Sequence, residues 1–196
     1  MTIYDQARQL IDDAHSADPK TTPEGQPAEL LYANRMEEWI TRLNPQASPL
    51  LRLAARCQHL ERWIVPRDTF PLDRPGYHAW RKSLYRLQSE RARELLLQAG
   101  LSTHEADDVA LWVSKTGLKT NPDTQALEDA AVLVFLENEI ADFAAQHAHY
   151  PPEKFVGILR KTWNKLSSDG QQAARQLDLS PEIASLLQQA LAGRTE

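Results

Sequence analysis

A chain of 196 residues with 42% hydrophobic and 25% charged content is long enough to bury one substantial core and too short for two large ones. Its net charge of −5 argues against general nucleic-acid binding, which needs a broad basic face. The single cysteine, Cys57, excludes an internal disulfide framework or a thiolate zinc site and fits a reducing cytoplasm. No apolar run approaches the roughly 20 residues that span a bilayer, so no membrane association is expected, and an opening that carries Asp5, Asp12 and Asp13 is unlike a signal peptide.

Taken in order, the chain reads as helical almost throughout. Apolar spacing predicts a first amphipathic helix over about Ile3 to Ala14, then a Pro/Gly-rich, flexible loop over 16–27. Glu29 to Leu43 reads as a second helix, with Leu30, Leu31, Met36, Trp39, Ile40 and Leu43 near a 3.6-residue period and Asn44-Pro45 as its stop. Ser48-Pro49 opens a third, by cap and first-turn proline, and its pattern runs through Leu50, Leu53, Ala54, Cys57 and Leu60 into Trp63. Three prolines between Val65 and Pro75 predict an ordered loop. Tyr77 to Ala99 is a long helix stopped by Gly100. Ser102 to Glu105 is a capping box for a helix to about Lys115, Asn121-Pro122 opens one to roughly His147, and Pro151-Pro152 and Ser180-Pro181 open two more. The last four residues are expected to be flexible. The fold expected is one all-α bundle over 1–196, of about seven to nine helices.

Charge is unevenly placed. From Arg52 to Arg93 there are ten Lys/Arg against four Asp/Glu, so this segment carries +6 while the remainder carries −11. Concentrated guanidinium groups raise local anion concentration and offer paired planar donors, so a small anionic ligand is expected here. Arg62, Arg67, Arg74 and Arg81 are the candidate contacts; Arg86, Arg91 and Arg93 fall farther along the long helix, on its solvated face. Tyr77 and Trp80 either stack on a flat ligand group or sit in the core, the core reading being favoured. Trp63 is ambiguous in the same way, and Trp39, Trp112 and Trp163 read as core. Lys115 and Lys119 either add charge to the same site or cap a helix end, while His147 and His149 read as helix termination and Cys57 as an inert buried thiol. Asp129 and Glu137, eight residues apart on one helix, are separated by about 12 Å and bracket the apolar run Ala130 to Leu136.

The strings QHLERW, PRDTFP, RPGYHAWR and LEDAAVLVFLE, in this order over about Leu30 to Ser168, resemble the bacterial and fungal family filed as domain of unknown function 4202. More distantly, the order of features resembles a degenerate member of the all-α HD-domain superfamily of metal-dependent phosphohydrolases. That pattern has a His followed three residues later by Arg, then an apolar helix ending in His-Asp, then a distal Asp. Here Tyr32 stands at the first His, Arg35 at the arginine, Gln58-His59 at the His-Asp pair and Glu137 at the distal Asp. Three of the four ligands change in chemical type and the fourth exchanges Asp for Glu, so the fold carries over more readily than the binuclear chemistry.

What the resemblance implies is a hydrolase-type enzyme acting on a small phosphorylated or otherwise anionic substrate. His59 would be general base or metal ligand, with Glu137 facing it and one divalent ion as an optional cofactor. Tyr32 and Arg35 would line the same site, and Asp129 or Glu128 would pair with an arginine of the basic segment. The alternatives are a non-catalytic nucleotide- or anion-binding module that has lost its metal, and an interaction protein whose basic strip docks an acidic partner.

Overall fold

The computed structural model describes residues 1–192, and the expected flexible tail lies outside them. Ten α-helices make up the fold among these residues: α1 Ile3–Ser16, α2 Ala28–Leu43, α3 Pro49–Arg56, α4 Arg74–Gln98, α5 Thr103–Val113, α6 Pro122–Val134, α7 Ile140–Gln146, α8 Pro152–Trp163, α9 Ser168–Ala174 and α10 Pro181–Ala192. The expected all-α class is the class observed. Two compact units are formed, Met1–Leu127 and the residues from Glu128 onward, with the division inside α6.

Local chemistry places the boundaries of the first unit. Thr2 and Asp5 form a capping box at the head of α1. Ser48 accepts from the Leu51 amide and Pro49 takes the first turn of α3. Asp73 does the same for α4 through the Gly76 amide, and α4 ends where Gly100 takes φ +95°, with Leu101 N–H donating to the Leu96 carbonyl and Gly100 N–H to Leu97. Ser102 and Glu105 form the expected capping box of α5. Helices α4 and α5 pack along one another, and α3 packs against α1, α2 and α5. Ile11, Ala33, Met36, Ile40, Leu60, Leu96 and Val109 lie at its centre, each 1% exposed or less.

In the first unit two features depart from the sequence pattern. The run from Leu50 to Trp63 is not one helix: α3 stops at Arg56, and the chain turns through His59 and Glu61, both left-handed at φ 61° and 50°. Leu60, at the next position of the apolar period, is fully buried by the turn instead of by a helix. The loop over 17–27 is also tied down: Ala28 N–H donates to Lys20 O, Thr22 N–H to Gln26 O, and Thr21 bridges Pro27.

In the second unit, α8 packs on α10, with Arg160 of α8 donating to the Ala190 carbonyl of α10, and Leu159 and Trp163 of α8 are each 1% exposed. The helix predicted to run unbroken from Asn121 to His147 is interrupted by a π-helical turn at Phe135–Glu139. Phe143 meets Phe135 and Phe155 at 5.6 and 5.8 Å, and His147 closes α7 by donating Nδ1–H to the Phe143 carbonyl. Trp39, Trp112 and Trp163 are core residues, as expected.

A buried guanidinium joins three helices of the first unit. Arg56, 1% exposed at the end of α3, donates to Asp12 of α1 and to Asn34 and Glu37 of α2. Truncating it leaves two carboxylates facing a cavity. Arg56→Ala is therefore expected to cost about 3 kcal/mol or more in urea unfolding, and Arg56→Lys to recover only part of that because one ammonium cannot match the fork. A loss below ~1 kcal/mol for Arg56→Ala would mean that the network does not hold the helices.

Candidate functional site

The site is assembled where α2 passes the turn after α3. Glu29 and Tyr32, three residues apart, share a face of α2. Tyr32, 8% exposed, lays its ring on His59 with centroids 4.0 Å apart and planes 10° from parallel. Glu29 Oε2 lies 3.2 Å from His59 Nδ1. The carboxylate that engages His59 is thus Glu29, which the motif pattern did not single out, where Glu137 was expected. The one-turn spacing of Glu29 and Tyr32 was the available signal. His59 lies on no helix with Arg62 and Trp63, since α3 ends at Arg56 and the two sit in a separate short turn.

Arg62, in a short 3₁₀ turn over Arg62–Ile64, brings Nη1 to 3.3 Å from both ring nitrogens of His59. An atom equidistant from the two lies well off the line of either lone pair, so the contact is charge against the ring and not an aligned hydrogen bond. The Arg62 guanidinium also stands over Trp80 at 5.1 Å. Trp80, buried on α4, donates Nε1–H to the Val65 carbonyl, and Tyr77 lies 5.9 Å from it with 44% of its surface exposed. A continuous row therefore runs from Tyr77 through Trp80, Arg62 and His59 to Tyr32.

Arg67 serves a different purpose. Its guanidinium donates to the Phe70, Pro71 and Asp73 carbonyls, which orders the proline-rich loop. Gly76 seals the same loop, because a Cβ there would lie 2.1 Å from the Pro71 oxygen. Arg81 donates to the Tyr85 hydroxyl and contributes positive charge at His59. Arg74 is exposed and Arg35 half-buried, and no hydrogen bond or ion pair engages either among the described residues. Lys115 and Lys119 both hold left-handed backbone after α5.

The remaining candidates belong to the second unit. Asp129 is 4% exposed and accepts from both the backbone N–H and the hydroxyl of Ser167, at the head of α9. Gly170 packs against it so closely that a Cβ would come within 2.8 Å of its Cγ. Glu128 pairs with Lys165 at 3.1 Å, and Glu137 is solvent-exposed in the π-helical turn.

Burial pushes His59 down to about 4, helped by the charges of Arg62 and Arg81 and opposed by Glu29. Burial would push Glu29 up, but its hydrogen bond to His59 and the nearby cationic charge outweigh this and hold it below the ordinary carboxylate value. At neutral pH the imidazole is therefore uncharged. Its Nδ1–H donates to an ionised Glu29, and the Nε2 lone pair remains as base or ligand atom. Burial pushes the Cys57 thiol up to about 12, so it is inert. Among the described residues no three His, Cys, Asp or Glu side chains converge as ligands. One imidazole and one carboxylate with guanidinium charge alongside do not fit a divalent cation.

Fold and site together define an all-α protein with a half-buried Glu–His–Arg cluster at a strained turn. The chain belongs to the family described as a domain of unknown function, DUF4202, whose model matches residues 5–187. No curated protein and no solved structure matches the chain.

The depressed His59 value makes stability depend on pH. Between about 4 and 6.5 the unfolded chain binds more protons at His59 than the folded one, so stability rises with pH through this window and is lost as pH falls. The contribution is about 3 kcal/mol. His15, also lowered by burial, adds to the same slope. Urea midpoints measured across the window should show a clearly flatter slope in His59→Gln; an unchanged slope would place the titration elsewhere.

Proposed function

We propose that this protein is a hydrolase-type enzyme acting on a small phosphorylated or otherwise anionic substrate, with His59 as general base and Glu29 as its orienting partner. The observation that carries the reading is the neutral His59 imidazole held between the Glu29 carboxylate, the Tyr32 ring and the Arg62 guanidinium. The resemblance to the HD superfamily supports it. Tyr32 and His59 stand at two positions where that pattern carries metal ligands, and here they are in direct contact. The proposed fold is accordingly a degenerate form of the HD bundle, and the proposed setting is the cytoplasm. Among the described residues no helix is long and apolar enough to cross a membrane.

In this scheme Arg62 and Arg81 attract the anionic group, with Arg35, Arg74 and Tyr77 as further contacts. Binding an anion offsets the positive charge that adds to the burial penalty on His59, so its basicity rises when substrate arrives. His59 Nε2 then takes a proton from a water whose oxygen bonds to the substrate as the scissile ester bond breaks; Glu29 stabilises the imidazolium that forms, which returns the proton to the departing oxygen. Arg62 stabilises charge developing on the substrate. No step is routed through a metal. Asp129 is assigned to joining α6 and α9, and Glu29 takes the partner role expected of Glu137.

A second reading, a non-catalytic anion-binding module, is favoured by one observation: the Arg62 guanidinium is held against the His59 ring, and burial there makes His59 a weak base. Small phosphoesters screened against wild type, His59→Ala and Arg62→Ala separate the two. For an enzyme, His59→Ala should lower kcat by 10²-fold or more with KM little changed. Arg62→Ala should raise KM. Inorganic phosphate that raises Tm in wild type but not in Arg62→Ala, with no substrate turned over, would leave the binding module. Loss of both effects would remove the site from function.

A further inference from the structure

We propose that Asp18 is a positioning residue for His59: by holding the backbone at the head of α2, it sets where the Glu29 carboxylate meets the imidazole. The inference rests on reading Glu29 and His59 as a working pair.

A helix leaves its first N–H groups without intrahelical partners, and the residue before it normally supplies an acceptor. At α2 that residue is Pro27, whose side chain accepts nothing. The missing acceptor comes from farther back. Asp18, 6% exposed, accepts from the Glu29 N–H through Oδ2 at 2.9 Å and from the Lys20 N–H through Oδ1 at 2.9 Å. The bond reaches the very residue that carries the carboxylate, and a negative charge at a helix head adds to its strength.

Asp18 is itself fixed by α1, since its own N–H donates to the His15 carbonyl. His15, fully buried, donates Nε2–H to the Arg56 carbonyl at 2.7 Å. Arg56 ends α3 three residues before His59. One short segment at the end of α1 therefore holds both halves of the pair, with His15 fixing the strand of chain that leads to His59 and Asp18 fixing Glu29. A mere helix cap would need only to stabilise α2. A positioning residue must also govern which nitrogen of His59 carries the proton.

The test reads that proton directly, from the imidazole ¹⁵N shifts of His59 in intact protein, alongside Tm. Glu29→Ala gives the reference in which Nδ1–H has lost its acceptor. Asp18→Ala is expected to move both ¹⁵N shifts toward that reference and to lower Tm. Asp18→Asn keeps an acceptor for the Glu29 amide and should stay close to wild type in the shifts. If Asp18→Ala does not fold, Asp18→Ser, polar but too short to reach the Glu29 amide, is read instead with the same expectation. Asp18→Ala with lowered Tm and wild-type shifts would overturn the proposal and leave a cap only. Asp18→Asn moving as far as Asp18→Ala would overturn the hydrogen bond as the cause. Glu29→Ala with wild-type shifts would instead remove the Glu29–His59 pair, and the functional reading with it.

Discussion

One guanidinium sealed from water sets the register of the first unit. Apolar side chains let helices slide past one another at small cost, whereas the planar fork of Arg56 accepts partners only along fixed directions. It meets Asp12 on α1 and Asn34 and Glu37 on α2. Glu37 is held in turn by Arg8, back on α1. A buried charge without partners costs several kcal/mol, so displacing any of these helices carries that penalty. Because Arg56 is the last residue of α3, the same network fixes the point from which the chain leaves toward His59.

Beyond that point the backbone is strained. Left-handed conformations at His59 and Glu61 cost of order 1 kcal/mol or more each, and neither residue is glycine. Something must hold them. Leu60 between them is fully buried, and Glu61 is gripped by Arg91 of α4 at 3.1 Å. Arg56 anchors the turn from behind and α4 anchors it from ahead. The imidazole is thereby presented side-on, with Tyr32 stacked on it and Glu29 at Nδ1. On the proposed reading this is preorganisation: the strain is carried by the fold before a ligand arrives.

Helix class, most helix starts and the core tryptophans were legible because caps, prolines and 3.6-residue spacing act locally. Ser48-Pro49, Ser102 to Glu105 and Gly100 each announce a boundary within four residues. The stop of α3 was not legible, since no glycine or proline marks it and Leu60 keeps the apolar period. Long-range partners decide there, namely the His15 bond to the Arg56 carbonyl and the Arg91 grip on Glu61. The same limit applied to the site. Tyr32 and His59 could be matched to a motif, but Glu29 is an acidic residue in a first helical turn, where carboxylates are common for reasons of helix polarity alone. Asp18 lay in a stretch whose composition reads as loose loop, and nothing local shows that its carboxylate reaches across eleven residues.

Charge counting treats the basic segment as one feature, whereas its members face different partners. Of the ten cations between Arg52 and Arg93, Arg56, Arg86, Arg91 and Arg93 face carboxylates, and Arg67 faces backbone carbonyls. Arg62 and Arg81 are the ones whose charge is felt at His59. Two half-buried guanidinium groups beside a half-buried imidazole outweigh several on an open surface, because screening by water and salt is weaker there. Their effect runs in both directions. The charge that would draw an anion in also adds to the burial that keeps His59 from holding a proton, so anion affinity and imidazole basicity are linked through the same two side chains. An anion that neutralises them must raise the proton affinity of His59 by the same free energy with which protonated His59 favours the anion. On the proposed reading, the ligand that the site recognises makes His59 a stronger base than it is in the free protein.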